Sequence, residues 1–228
     1  MINFDCIYYG NKYSFPYVKN LHNMVERNLT TPHKFICFTD NTVIAQRKEF
    51  RSTNIEFRQF KRHDFNGWFN KLQLFSPDSN LDGNTLYMDL DVVIMQNIDS
   101  FATIGESKNF VGMNDFNPTT GLFNSSIMRF NNEYHSKLIW DEYLKRRSEF
   151  HSCTVDQEIV SKLIIGHKDT ISFPDEWTQS YKWLNREGKR YHVEKMTYEQ
   201  DPNAKVCVVH GNPNPAESTQ KWVQDLWK

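Results

Sequence analysis

The sequence predicts an α/β fold in which helices cover both faces of a mixed, mostly parallel central sheet. Short runs of apolar, β-branched and aromatic residues recur along the chain, and helical patterns separate them. The 228 residues, 39% hydrophobic and 24% charged, are enough to bury one large core. Without a repeat, a low-complexity tract or a clear linker, we expect a single domain.

The first part of the chain is predicted to form four strands and two helices. A helix begins near Ser14, a residue type that caps helices, with Pro16 in its first turn. A second, short helix covers 68–75, because Phe69, Leu72 and Phe75 fall on one face. The four strands lie at 4–9, 34–40, 55–60 and 85–95.

The second part alternates in the same way. Strands are predicted at 110–113, 125–130, 170–174 and 205–210, and helices at 133–147, at 155–164 and near the C-terminus. In such sheets ligands bind at the carboxyl ends of the strands. Polar residues that follow a strand are therefore the candidate site residues.

Composition excludes several classes of protein. The net charge of −1 provides no overall basic field for nucleic acid or for an anionic membrane. No apolar run approaches the roughly 18 residues of a membrane span, and the N-terminus lacks the apolar segment of a signal peptide. The four cysteines form no C-x-x-C pair, and Cys6, Cys37 and Cys207 lie in apolar runs. We expect buried, reduced thiols in a cytoplasmic protein.

Two acids interrupt the apolar run LYMDLDVVIM at 86–95. An unpaired buried carboxylate is too costly to stand there without a partner. Because Asp89 and Asp91 are two residues apart, an extended chain projects them to the same side and turns Leu90 toward the core. Convergent carboxylates repel each other unless a cation lies between them, and oxygen ligands favour Mg²⁺ or Mn²⁺. The alternative is a pair that caps a loop or a helix N-terminus.

Two further motifs bear on that choice. His210 and Gly211 follow an apolar run in VCVVHGNPNP. Imidazole is an acceptable ligand for Mn²⁺, and a glycine lets the backbone approach a phosphate, although His210 alone also fits a hydrogen-bonded loop histidine. Lys71 lies on an otherwise apolar helix, either as a point charge for a phosphate or as a lysine that reaches solvent along the surface.

The order of the motifs resembles the metal-dependent glycosyltransferases of the GT-A fold. It is most similar to glycosyltransferase family 8 (the glycogenin and galactosyltransferase group) and its small bacterial and phage relatives. After the D-x-D come FNSSIMRF, DQEIV and His-Gly-x-Pro-x-Pro, and FPDEWTQSYKW is also similar. The resemblance covers nearly the whole chain. It implies a single Rossmann-like GT-A domain with a nucleotide-binding half at about 1–100 and an acceptor and sugar half at about 101–228.

The resemblance also implies a role for each matching residue. Asp89, Asp91 and His210 match the protein ligands of Mn²⁺, or of Mg²⁺ in its place. Lys71 matches a lysine near the donor phosphates and sugar. The other matches bind the donor or lie beside its sugar: Tyr8, Tyr9 and Asn11 for the nucleoside, Asn124, Ser125, Asp156 and Gln157 around the sugar, Gly211 in the closing motif and, more loosely, Asp115. Asp156 is the candidate acid nearest the anomeric carbon.

One position departs from the family pattern. Asn214 stands where the closing motif usually has a lysine. The diphosphate site is then short of one cation, unless Lys182 or Arg186 supplies it.

The resemblance implies transfer of a hexose or pentose from a nucleotide-diphosphate sugar, expected to be UDP-linked, with retention of configuration. The acceptor is open between a glycan, a protein and a modified nucleic-acid base. One alternative is a phosphohydrolase of the haloacid dehalogenase type, whose apolar strand also precedes a D-x-D-x-[TV] motif, although that motif usually opens the chain. Another is a non-catalytic sugar or nucleotide binder on the same fold.

Overall fold

A computed structural model describes residues 1–41, 43, 54–186, 189–192 and 199–228, with the backbone alone described within 183–192. Seven strands form the central sheet in the order β3-β2-β1-β4-β7-β6-β8. A second sheet has the order β5-β12-β9, and β10 pairs with β11. The strands are β1 Ile2–Tyr8, β2 His33–Thr39, β3 Ile55–Gln59, β4 Asn84–Met88, β5 Val92–Ile94, β6 Phe110–Asn114, β7 Phe123–Asn131, β8 Thr170–Ser172, β9 Thr178–Ser180, β10 Trp183–Arg186, β11 Lys189–His192 and β12 Val206–Val208.

The central sheet is mixed and mostly parallel, as predicted. β1 is parallel to both β2 and β4, β2 is parallel to β3, and β6 is parallel to β8. Only β7 runs against its neighbours β4 and β6. The carboxyl ends of β1, β2 and β4 therefore meet at one edge, where the candidate residues after β1 and β4 lie.

Helices cover both faces of the sheet. The α-helices are α1 Phe15–Asn28, α2 Asp99–Thr103, α3 Asn132–His135, α4 Glu142–Lys145, α5 Asp156–Ile164 and α6 Lys221–Leu226. A π-helix, Ser136–Asp141, joins α3 to α4. The 3₁₀ helices are Gly67–Phe75, Pro77–Ser79, Arg147–Phe150, Asp175–Trp177 and Pro215–Glu217.

Two hydrophobic cores lie against the sheet. The first contains α1 through Val18 and Leu21, which pack with Phe4 of β1. The second contains Leu72 of the 3₁₀ helix Gly67–Phe75 and Ile159 of α5. This arrangement confirms the predicted fold class, while the division into two halves stays a prediction.

The predicted strand at 85–95 is two strands in two different sheets. β4 ends at Met88 in the central sheet, and β5 begins at Val92 in the smaller one. Asp89 and Asp91 lie in the turn between them, and Leu90 is buried, as expected. The backbone changes partner here, because the Asp89 N–H donates to Ser126 O at 2.9 Å while Asp91 O accepts from Val209 N–H at 3.1 Å. Apolar periodicity alone does not reveal such a change.

The helix predicted at 68–75 is a 3₁₀ helix of nine residues, Gly67–Phe75, longer than most. Side chains three residues apart eclipse each other in this geometry, which explains the predicted ridge of Phe69, Leu72 and Phe75. The next ridge carries Trp68 and Lys71 toward the edge of the sheet.

The described residues agree with the expectation of buried, free thiols. All four cysteines are free and buried. Within the part of the chain that is described, no helix has both the length and the apolar character needed to cross a membrane. The side chain of Arg186 lies outside the described residues.

Candidate active site

Lys71 is the centre of a buried polar cluster. Its Nζ lies 3.0 Å from Asp89 Oδ1 and 3.4 Å from Asp156 Oδ2. It also donates to Ser125, to Oγ at 3.0 Å and to the carbonyl oxygen at 3.1 Å. Only 5% of Lys71 is exposed, so the interpretation as a surface lysine is wrong. The 3₁₀ helix, the end of β4, β7 and the start of α5 thus meet at one ammonium group.

Tyr87 orients the first aspartate. Its hydroxyl donates to Asp89 Oδ1, and the Lys71 ammonium lies 5.0 Å from the centre of its ring. Burial raises the pKa of Tyr87, and the negative charge of Asp89 adds to the effect, so the hydroxyl keeps its proton. We did not predict this role for Tyr87, although its two-residue spacing from Asp89 is a signal for it.

Tyr13 orients the second aspartate. Its hydroxyl donates to Asp91 Oδ2 at 2.6 Å. Burial raises the pKa of Asp91 to about 6, helped by the charge of Asp89 and opposed by the Tyr13 hydrogen bond. The two carboxylates therefore interact unfavourably, as the spacing predicted, and a cation would relieve their repulsion. The role of Tyr13 has no local sequence signal, because it lies in the loop that follows β1.

Asp156 and Gln157 extend the cluster away from the D-x-D. Asp156 begins α5 and is 3% exposed, and among the described residues its Oδ2 has no hydrogen-bond partner beyond the ion pair with Lys71. Gln157 Nε2 donates to Asp115 Oδ2 at 3.0 Å. The structure thus brings the predicted sugar-side residues Asp156, Gln157 and Asp115 into one row of polar groups that begins at Lys71.

Asn124 and Ser125 have different roles. Ser125 contacts Lys71 directly, whereas Asn124 Oδ1 accepts from the Ser126 N–H at 2.9 Å. Asn124 is also paired with Met113 at a register shift between β6 and β7. Ser125 therefore belongs to the cluster, and Asn124 shapes the strand that carries it.

His210 is near the second aspartate but is already engaged. The Val209 N–H donates to Asp91 O, which brings the end of β12 to the D-x-D turn. His210 Nε2 lies 2.8 Å from Ser180 Oγ, and the ring stacks on Phe116 at 5.8 Å. Burial lowers the pKa of His210, and the charge of Lys182 lowers it further.

The arrangement fits a divalent ion in part. Within the described ranges, no three His, Cys, Asp or Glu side chains are grouped so that they could hold a metal. Two carboxylates, Asp89 and Asp91, still match the way in which Mg²⁺ and Mn²⁺ take one or two protein carboxylates and complete their shell with water and substrate phosphate. The role of His210 as a third ligand stays a prediction.

Lys182, from the turn after β9, lies beside the closing turn, which has no lysine of its own. Lys182 Nζ is 2.9 Å from the point that a Cβ on Gly211 would occupy. Asn214 begins the 3₁₀ helix Pro215–Glu217, and its N–H donates to Glu217 Oε2 at 2.9 Å. Asn214 therefore has a structural function at the position where a cation was expected.

A cavity of about 290 Å³ adjoins the cluster. Tyr9, which meets Phe60 edge-on at 6.5 Å, and Asn11 lie in its wall, as predicted for the nucleoside site, whereas Tyr8 packs against the first core. Trp68, one 3₁₀ turn before Lys71, also lines it and is 59% exposed. The other lining residues are Ile7, Gly10, Lys12, Tyr13, Gly67, Lys71, Tyr87, Asp89, Leu90 and Asp91.

Comparison with known proteins finds no matching family model and no matching curated protein. Solved structures do share the fold. The glycosyltransferase GlyE of Streptococcus pneumoniae TIGR4 aligns with a TM-score of 0.71 at 14% identity, over 100% of this chain and 60% of that one. An active-site mutant of LgtC aligns with a TM-score of 0.70 at 14% identity, over 99% of this chain and 94% of that one.

A mammalian protein has the same architecture. Mouse xyloside xylosyltransferase 1 aligns with a TM-score of 0.56 at 11% identity, over 93% of this chain and 98% of that one. At these identities the comparisons show the fold, which is the predicted GT-A glycosyltransferase fold. A phosphohydrolase built on a different fold is therefore not supported.

Proposed function

We propose that this protein is a glycosyltransferase that moves a sugar from a nucleotide-diphosphate donor to an acceptor. The observation that carries the proposal is the buried cluster in which Lys71 contacts Asp89, Asp156 and Ser125 beside an open cavity. Buried charges need partners, and an ammonium next to a cavity is suited to an anionic ligand such as a phosphate. The glycosyltransferase fold supports the same reaction class.

The donor lies along the cavity. Its base packs on Tyr9 and hydrogen-bonds near Asn11, with uridine as the expected nucleoside. Its diphosphate lies near Asp89, Asp91 and Lys71. The sugar then reaches the row of polar groups formed by Ser125, Asp156, Gln157 and Asp115, where hydroxyl groups find both donors and acceptors.

A divalent ion, Mn²⁺ or Mg²⁺, would be held by Asp89 and Asp91. When bound, it supplies Lewis-acid stabilisation to the leaving phosphate. Tyr87 and Tyr13 hold one carboxylate each, which is the role of residues that orient metal ligands. The burial and mutual repulsion that raise the pKa of Asp91 to about 6 support a site that is completed by a cation.

The bond that breaks joins the anomeric carbon to the diphosphate. Negative charge grows on the leaving phosphate while the sugar becomes oxocarbenium-like. Lys71 stabilises the growing negative charge, because its ammonium is fixed in advance and shielded from water. The carboxylate of Asp156 lies on the sugar side of the Lys71 ammonium. The family resemblance implies retention of configuration at the anomeric carbon.

The acceptor would approach from the side of Asp115. Asp115 lines a second cavity, of about 480 Å³, together with Asn114, Phe123, Ile165 and Asp175. Polar and apolar groups alternate there, which suits a ligand that has both hydroxyl groups and an apolar face. A glycan, a protein and a modified nucleic-acid base remain the three candidate acceptor classes.

The test is donor turnover. We expect UDP release from at least one UDP-sugar, faster with Mn²⁺ than with Mg²⁺ and lost after chelation. UDP should compete with the donor better than GDP does. Asp91→Asn should abolish turnover while the melting temperature stays near that of the wild type. A chelated protein that works as well as the metal-loaded one would contradict the proposal, and binding without turnover would favour the non-catalytic alternative.

A further inference from the structure

Lys182 reaches the turn that contains Gly211 from a separate element. β9 is parallel to β12, and Ser180 is paired with Val208. Lys182 follows β9 just as His210 follows β12, so the two residues arrive at the same edge. Lys182 Nζ lies 2.9 Å from the point that a Cβ on Gly211 would occupy, and Gly211 has a φ of +71°. The absence of a side chain at this residue therefore leaves room for the ammonium.

The position of Lys182 is coupled to that of His210. The Lys182 N–H donates to Ser180 Oγ at 3.1 Å, and the same oxygen lies 2.8 Å from His210 Nε2. One hydroxyl thus ties the turn after β9 to the turn after β12. The backbone of Lys182 is therefore held at this edge, and its ammonium lies beside Gly211.

The negative charges around the Lys182 ammonium do not fully compensate its positive charge. Partial burial lowers the pKa of Lys182, and the charge of Asp91 opposes that effect. Among the described side chains, which do not include those of 183–198, Lys182 forms no ion pair. A partly buried ammonium with no paired carboxylate among these side chains is suited to an anionic ligand.

The other cations near the site have different positions. Lys71 is buried against Asp89 and Asp156, and Lys12 lies over the Tyr13 ring at 4.6 Å. Asn214 contributes no charge. Lys12, in the loop after β1, acts electrostatically on Asp91 as well, and Lys71 contacts Asp89, so Lys182 is the described lysine beside the closing turn.

We propose that Lys182 binds the donor diphosphate, so that Lys71 and Lys182 flank its phosphates from opposite sides of the D-x-D. This inference rests on the proposed function. Lys182, in the turn after β9, would supply the positive charge that the closing motif lacks at Asn214. Through its ammonium group, Lys182 would contact phosphate oxygens and would make no contact with the nucleoside.

Calorimetric titration of the Mn²⁺-loaded protein with UDP and with uridine tests the inference. Lys182→Met should weaken UDP binding by about tenfold or more, the scale of one hydrogen bond to a charged group. Uridine binding should stay within about twofold of the wild type, because uridine has no phosphate. Lys221→Met is the matched control, since Lys221 is exposed on α6 and pairs with Asp225 at 2.9 Å. It should change neither affinity.

Gly211→Ala is the second variant. Its Cβ would displace the Lys182 ammonium while the charge stays in the chain. It should weaken UDP binding more than uridine binding, whatever strain the positive φ adds. The melting temperature of each variant reports on folding.

The outcomes are distinguishable. An unchanged UDP affinity in Lys182→Met overturns the inference, and so does a parallel loss of UDP and uridine, which would mean that Lys182 acts on the fold. A wild-type protein that binds neither UDP nor uridine overturns the uridine-nucleotide donor of the proposed function, and this inference with it.

Discussion

At the scale of single residues, the Lys71 cluster explains how one ammonium group serves both stability and chemistry. Burial lowers the pKa of Lys71, but the charges of Asp156 and Asp89 raise it by more, so the group stays protonated. In return, Lys71 is the cation that compensates Asp156, whose Oδ2 has no other polar partner among the described residues. Removing Lys71 therefore has two separate consequences.

We expect Lys71→Met to lower kcat and kcat/KM together by about 100-fold or more, since a preorganised charge is lost in the transition state. Stability should fall by about 3–5 kcal/mol, because Asp156 is left buried and unpaired. Adding Asp156→Asn should restore much of the stability but none of the turnover. Denaturant unfolding and steady-state kinetics measure both effects, with the exposed Lys145→Met as control. Near-wild-type kcat in Lys71→Met would remove Lys71 from the mechanism.

At the scale of elements, the pairing of β6 with β7 positions the sugar side of the site. The register shifts between Gly112 and Met113, after which Met113 lies opposite Asn124. Gly112 lies against Phe123, and a Cβ there would be 2.5 Å from Phe123 Cδ1. The close approach of these two strands is what holds Asp115 and Ser125 at the same end of the sheet.

We expect Gly112→Ala to destabilise the protein by about 1–3 kcal/mol, as overpacking in a core does. Donor turnover should fall as well, because Asp115 directly follows β6. Combining Gly112→Ala with Phe123→Leu should recover part of the stability, since the smaller side chain relieves the overlap. Urea denaturation of the three variants measures this. A Gly112→Ala variant as stable as the wild type would contradict the described contact.

At the scale of the whole molecule, the free energy of unfolding should depend on pH through Asp5. This residue is fully buried in β1, level with Tyr87 of β4, and within the described chain neither carboxyl oxygen has a hydrogen-bond partner. Burial raises the pKa of Asp5 well above its usual range, and the charge of Arg58 opposes this only in part. The folded state therefore binds a proton more tightly than the unfolded state does.

For such a group, stability is lost as pH rises from the unfolded pKa of about 4 through the folded pKa. We expect the wild type to lose stability relative to Asp5→Asn over that range. His22 and His135, whose pKa values burial lowers, act in the opposite direction, but the comparison with Asp5→Asn cancels them. Urea denaturation at a series of pH values measures the difference. A difference that does not change with pH would mean that Asp5 is not protonated in the folded protein.

Local sequence patterns were sufficient for the strands of the central sheet, for most helices and for the paired acids, whereas β9, β10 and β11 were not predicted. The spacing of apolar residues shows which side of an element faces a core, and it marks Asp89 and Asp91 as exceptions on a buried run. The same spacing predicted the ridge of Phe69, Leu72 and Phe75, although not that the helix is 3₁₀. These properties depend on neighbours within a few residues, which the sequence contains directly.

Contacts between distant segments were decided by the tertiary structure. Tyr13 reaches Asp91, Lys182 reaches Gly211, and Lys71 is buried rather than exposed, each because separate elements end at the same edge of the sheet. The apolar periodicity of a helix shows that one of its faces is covered, but it does not show which element covers that face. A lysine on an apolar helix is therefore compatible with both a surface position and a buried position. The turn at the D-x-D is the clearest case. β4 and β5 join different sheets, and the pairing of β12 with β5 brings the end of β12, which precedes His210, to Asp91.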